Sequence, residues 1–264
     1  MSGLYYPQIR SAIAQFPMVR RLTTPAYVNE VPSGLTFRMA DVTPEETQWT
    51  LQYSELTTAE WQQLASLFNT AAGRLGTFTF LDPADNLLLW SEDFTQNVWT
   101  AGPLLSLTGG FSDPTGGISG VQITNTSQVT ATLMQEIGGP SWYQYAFSIY
   151  LQAHSPCTVN LLGAAGNQNS RKPARLSSAW SRAVLSLTLP CQQDGIQFGL
   201  EIPAGVGLRA FGAQVEAQPG AGLYKKTTNK SGVYLKSRFD QDVLTQTTDA
   251  VEKHSTSVRV ITLS

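Results

Sequence analysis

The sequence predicts a mainly β protein in two parts. One is an α+β domain, a β-sandwich with a single helix, and the other is an all-β domain inserted into it. Three observations carry this. Residues 57–73, TTAEWQQLASLFNTAAG, hold the clearest helical period in the chain. Residues 86–225 show short alternating runs broken by Gly, Pro, Asn and Asp, without a helical repeat. Residues 226–264 then return to strand-like segments that have no partners of their own. The predicted boundaries are therefore 1–85 joined with 226–264, and 86–225 between them.

The elements follow in order. Residues 1–33 are punctuated by Pro7, Pro17, Pro25 and Pro32, which suits an arm or short edge strands. GLTFRMADV (34–42) and TQWTLQYSEL (47–56) alternate, with Trp49, Leu51 and Tyr53 on one face. In the helix, Thr57 and Glu60 form a capping-box pattern. Trp61, Leu64, Ala65, Phe68, Ala71 and Ala72 make its apolar face, and Gly73 ends it. GTFTFLDP (76–83) reads as a strand stopped by Pro83.

Eight runs in the inserted block read as strands: LLSLTGGF, GVQITNT, ATLMQEI, YQYAFSIYLQA, CTVNLLG, SRAVLSLTLP, GIQFGLEIP and LRAFGAQVEA. So many short strands with frequent turn signals predict a sandwich or jelly roll. GVYLKSRFDQDVL (232–244) and STSVRVITLS (255–264) complete the host. Residues 34–85 supply too little sheet for a core alone, and the C-terminal strands make up the shortfall. A domain with neighbouring termini can sit in a surface turn of its host.

Charge narrows the function. Charged residues are 14% of 264 and the formal net charge is -2, so nothing argues for a nucleic-acid surface. No run suits a bilayer span, and MSGLYYPQIR lacks the pattern of a signal peptide. RSAIAQFPMVRR (10–21) is broken as a membrane-surface helix by Pro17 and is expected to lie as an arm on a neighbouring subunit.

No catalytic, cofactor or metal constellation is found, and the chain is expected not to be an enzyme. His154 and His254 lack metal-ligand spacing and read as surface or turn residues. Glu45 and Glu46 are adjacent, so on a strand they diverge; after Pro44 they read as a turn or helix start. Asp113 and Glu216 lack calcium-ligand spacing. GAAG (163–166), GLRAFG (207–212) and TGGFSDPTGG (108–117) read as turns rather than phosphate loops. Cys157 and Cys191 leave two readings open, a disulfide or two buried free thiols. Trp142 and Tyr143 follow GGP at a loop-to-strand junction and are the candidate glycan-stacking residues. Trp99 and Trp180 read as core.

The inserted block carries motifs of a known module. Its opening holds Asn86, Leu87, Leu88, Ser91, Glu92, Phe94, Trp99 and Thr100; its middle holds Trp180 and Arg182; its close holds Gly212, Ala213, Gln214, Val215, Glu216 and Tyr224. In these it resembles a carbohydrate-binding-type jelly-roll module of phage tail proteins. The module's Ile-Pro-Thr after the Tyr is replaced by Lys225, Lys226 and Thr227, as expected of an exit that rejoins a host. TQWTLQYSEL, TTAEWQQLASLF, GTFTFLDP and STSVRVITLS follow an order similar to the distal tail proteins of long-tailed phages and gene-transfer agents, including the lambda-type minor tail protein M family.

The resemblance implies a structural subunit of a tail tip, made in the host cytoplasm and located in a virion or phage-like particle. It implies a homomeric, sixfold ring between the tail-tube protein and hub or tail-fibre proteins. The inserted domain would decorate the rim and bind host glycan or fibres. The alternative is a receptor-binding module for cell-surface carbohydrate.

Overall fold

The computed structural model describes residues 3–24, 26–40 and 45–263. Pro25, Asp41, Val42, Pro44 and Ser264, which the sequence reading uses, lie outside the described residues. In chain order the first strands are β1 (Met18–Thr23), β2 (Ala26–Glu30), β3 (Thr36–Ala40) and β4 (Glu46–Leu56). Helix α1 (Thr58–Thr70) and β5 (Phe78–Leu81) follow. Next come β6 (Trp99–Ala101), β7 (Leu105–Phe111), β8 (Gly120–Asn125), β9 (Ala131–Pro140) and β10 (Tyr145–Gln152). They lead into β11 (Cys157–Ala165), β12 (Gln168–Leu176), β13 (Ser181–Leu187), β14 (Asp194–Ile202) and β15 (Gly207–Glu216). The chain returns through β16 (Val233–Phe239), β17 (Thr247–Ala250) and β18 (Lys253–Leu263). The protein is thus mainly β, with one helix among the described residues.

Two compact units result. One comprises Leu81–Val233 with the pieces up to Gly3 and Gln8–Ile13; the other comprises Leu4–Pro7, Ala14–Phe80 and the chain from Tyr234 onward.

The second unit is built on a sheet ordered β1-β4-β18-β16-β5, with β17 beside β18. Alternation makes its core: Trp49 and Leu51 of β4 and Val258 and Val260 of β18 are wholly buried. Trp49 packs on Phe80 and Phe78 on Phe239, each with ring centroids 4.8 Å apart. Helix α1 lies on β4 and β18. Its capping box forms: the Thr57 hydroxyl accepts from the Glu60 N–H at 3.2 Å, and Glu60 Oε2 accepts from the Thr57 N–H at 2.8 Å. Leu64 and Leu67 are buried, whereas Ala72 is exposed, because the helix ends at a cap on Ala71 before the expected face is complete. Gly73 adopts the left-handed conformation expected of it, with φ 61.

In the N-terminal segment the edge-strand reading holds, since β1 lies at the end of its sheet order, and the arm reading does not. Ile9 and Ile13 are buried and Met18–Thr23 pairs with β4, so residues 10–21 fold on their own chain rather than standing off as an arm. Strands β2 and β3 form a separate two-stranded ribbon. Glu46 starts β4, so it belongs to a strand rather than to a turn or helix start.

The first unit is a sandwich of two five-stranded sheets, ordered β13-β10-β15-β8-β7 and β12-β11-β14-β9-β6. Phe147, Ile149 and Leu151 of β10 are buried with Ile196, Phe198 and Leu200 of β14. Tyr145 lies with Phe198, ring centroids 5.4 Å apart. Each of the eight runs read as strands overlaps one, although β9 and β11 run on past the expected ends and β14 and β15 start one residue earlier. GLRAFG, however, begins β15, TGGF ends β7, and Gly163 lies inside β11, so these glycines are strand residues rather than turns. At Gly163 a Cβ would lie 2.6 Å from Leu187 Cδ1, so the packing of the sheets explains the absence of a side chain.

Candidate functional site

The opening and closing motifs meet. Asn86 is fully buried, and its Nδ2 donates to the carbonyls of Ala213 at 2.9 Å and Lys225 at 3.1 Å. Its Oδ1 accepts from the N–H groups of Val215 at 3.0 Å and Leu88 at 3.1 Å. Both donors and both lone pairs are thereby used. Ser91 Oγ accepts from the Thr227 N–H and lies 2.8 Å from the Tyr224 hydroxyl. That hydroxyl donates to Glu92 at 3.1 Å, and Lys226 Nζ pairs with Glu92 at 2.5 Å. Burial pushes the Tyr224 phenol well above its ordinary pKa, and the Glu92 charge adds to this.

The closing residues follow the same logic. Gly212 sits at φ 63, where a Cβ would press to 3.1 Å on the Tyr224 ring. The β10–β15 register shifts there, and the freed Ala213 N–H donates to the Ser91 carbonyl at 2.9 Å. Gln214 accepts from the Lys225 N–H at 2.6 Å and donates to the Leu223 carbonyl at 3.1 Å. Glu216, 2% exposed, accepts from the Gly222 N–H and from Lys225 Nζ. Arg182 donates to the Gly222 carbonyl at 2.6 Å and to Ser148 Oγ at 2.9 Å. The signature residues thus clasp the two ends of the sandwich. Trp99 is buried as expected, but Trp180 is only half-buried.

Trp142 and Tyr143 separate in their exposure. Trp142 is 37% exposed, whereas Tyr143 is 7% exposed and stacks beside Tyr145 with centroids 6.5 Å apart. Only Trp142 presents surface to a ligand, because Tyr143 turns into the packed end of β10. His154 is exposed. His254 is not a surface residue: it lies in β18, buried, with Nε2 3.0 Å from Thr58 Oγ1 and Nδ1 2.9 Å from Gln246 Nε2. Cys157 and Cys191 are free thiols, partly rather than fully buried. No cluster of metal-ligating side chains occurs, and no helix is long and apolar enough to cross a membrane, among the described residues.

Asp113 is consumed locally. Its carboxylate accepts from the Thr115 hydroxyl and from the N–H groups of Thr115, Gly117 and Ser119. Desolvation acts to raise its pKa, but these bonds together outweigh it and hold the group at about 2. It organises the β7–β8 loop.

Among the cavities on the sandwich, two bear on ligand binding; a smaller one is lined by Glu136, Gln193, Asp194 and Gln197 among others. One, of about 410 Å³, is lined by Trp90, Glu92, Asp93, Gly110, Ser119 and Lys226. Its charged groups are already paired: Glu92 with Lys226, and Asp93 with Thr95 and Gln96. The other is a groove of about 310 Å³ lined by Gln122, Gln152, His154, Ser178, Gly207 and Arg209 among others. Strand register creates it: Arg209 of β15 stands opposite Gln122 of β8 on one side and Gln152 of β10 on the other. The Arg209 guanidinium lies over the Phe111 ring at 4.7 Å. Gln152 donates to the Ser178 carbonyl at 2.6 Å, and its shielded Oε1 has no partner. Sequence reasoning missed this groove, because its residues come from distant strands.

No protein-family model matches this chain, and no curated protein matches it. Several solved structures match about half of the chain. The enzymatically active domain of bacteriophage CBA120 tailspike protein 4 is 10% identical with a TM-score of 0.42, covering 52% of this chain and 22% of that one. The CBM22-1 xylan-binding domain of Paenibacillus barcinonensis Xyn10C is 15% identical with a TM-score of 0.42, covering 52% and 97%. The Clostridium thermocellum Xyn10B CBM22-1–GH10 modules, complexed with xylohexaose, are 12% identical with a TM-score of 0.41, covering 56% and 30%. Likenesses this distant do not bear on function.

Proposed function

We propose that this chain is a non-enzymatic structural subunit of a phage-like tail tip, a distal tail protein that assembles with copies of itself into a hexameric ring. The β2–β3 ribbon is the observation that carries the reading. Tyr27, Val28, Leu35, Phe37 and Met39 in and beside it are each more than half exposed. Cross-strand pairing of Tyr27 with Met39 puts these two on one face with Phe37. A two-stranded ribbon is marginal alone in water, and a large exposed apolar face marks an interface. The adjoining strand β1 is the free edge of its sheet and exposes Val19 and Leu22. One stretch, 18–39, therefore offers both an unpaired edge and an apolar ribbon. A second copy suits it, since a head-to-tail contact that closes makes a ring. In this reading the ring joins the tail-tube protein to the hub or fibre proteins in the virion. Phe37→Lys with Met39→Lys is the test. Loss of assembly with an unchanged fold supports the reading; assembly that survives both charges refutes it.

A second reading, carbohydrate recognition by the inserted sandwich, is favoured by the exposed part of Trp142, since pyranose C–H faces pack on aromatic rings. Glycan-array binding by the full chain that falls on Trp142→Ala supports it; binding unchanged in the variant counts against it.

A further inference from the structure

We propose that the groove on the outer face of the β13-β10-β15-β8-β7 sheet binds an acidic saccharide through its carboxylate, with Arg209 as the anion-recognising residue.

Four features support this site. First, Arg209 has no carboxylate partner and no hydrogen-bond acceptor among the described residues; its recorded contact is the ring of Phe111 at 4.7 Å. A cation–π contact to the ring leaves the fork of N–H donors unspent. That fork matches a carboxylate two bonds at a time. Second, His154 lines the same groove, and its ring has no hydrogen-bond partner among the described residues, so its N–H is left for a ligand. Third, Gln122 and Gln152 flank Arg209 on the neighbouring strands. Strand spacing of about 4.8 Å places amides on either side of the anion site, where sugar hydroxyls would fall. Fourth, Gly207, two residues before Arg209 on β15, lines the groove without a side chain of its own.

The paired charges of the Trp90 cavity exclude it as an equal candidate, because an incoming anion would have to displace Glu92 from Lys226. An acidic peptide fits the groove less well than a sugar. The groove lies on a sheet face, where the strands' backbone groups are spent on their neighbours. Apart from Arg209 and His154, its side chains offer the amides of Gln122 and Gln152 and the hydroxyl of Ser178, and a saccharide offers hydroxyls along its length. The site is separate from Trp142 and does not depend on ring assembly.

The test is isothermal titration calorimetry of the full chain with two probes, oligogalacturonate and oligomeric sialic acid. Methyl-esterified oligogalacturonate serves as the neutral control and polyglutamate as the acidic-peptide control. Saturable binding to at least one acidic saccharide is expected, weakened on the order of tenfold or more by Arg209→Lys, which keeps the charge and loses the fork. Arg175→Ala, on the opposite sheet, should leave binding unchanged. Circular dichroism confirms that each variant is folded. Absence of binding to both acidic saccharides overturns the proposal. So does equal binding of the methyl ester, equal loss in the two arginine variants, or polyglutamate binding as tight as that of the sugars.

Discussion

The side-chain oxygen of Asn86 accepts from the backbone N–H of Val215 at 3.0 Å, across 129 residues of chain. Asn86 opens the β block and Val215 belongs to its close, so one buried amide holds the two ends of the sandwich together. Asn86→Ala leaves the N–H groups of Leu88 and Val215 and two carbonyls without this partner. The cost is about 2–4 kcal/mol, since each buried group left unpaired is expensive. Urea unfolding followed by tryptophan fluorescence should show an earlier midpoint. Asn86→Asp should not restore it, because a carboxylate cannot donate to Ala213 and Lys225.

Asp113 makes stability depend on acid. Its folded pKa of about 2 lies below the unfolded value of about 3.9. The unfolded chain therefore takes up the proton first as pH falls. The contribution is complete above about pH 4 and is lost as pH drops from there towards 2. Asp113→Asn should unfold more easily than the parent at pH 7, and the gap should narrow between pH 4 and pH 2. Melting curves across that range measure it; a gap that is constant with pH would mean that the carboxylate charge contributes nothing.

Cys157 and Cys191 are separate thiols, each partly exposed. Two reactive thiols should titrate in the native, unreduced protein. Burial pushes the Cys157 thiol up, so at mildly alkaline pH it should react more slowly than an unhindered thiol. Intact mass spectrometry that finds two hydrogens missing would show a disulfide instead.

The parts of this fold that are legible in the sequence are those where local chemistry and burial agree. Thr57 and Glu60 announce α1 because both halves of the capping box lie within one turn. Strand β10 is legible because Phe147, Ile149 and Leu151 all enter the core. Strand β12, by contrast, is a polar sheet edge that carries Pro173. It has little apolar alternation to read, and a proline there is tolerated because it lies at an edge. Strand β6 is only three residues long and escapes for that reason. Tyr143 shows how far aromatic clustering can be read: adjacent to Trp142, it is nevertheless packed beside Tyr145. Arg209, Gln122 and Gln152 become neighbours only through strand pairing, which no linear spacing encodes.

Self-assembly is the central claim, and the mass of the intact chain in solution tests it most directly. Mass photometry joined to averaged electron images should show a closed ring of six copies that falls apart when Phe37 and Met39 are both replaced by lysine. A monodisperse monomer at every concentration, with the β2–β3 ribbon still folded, would contradict it.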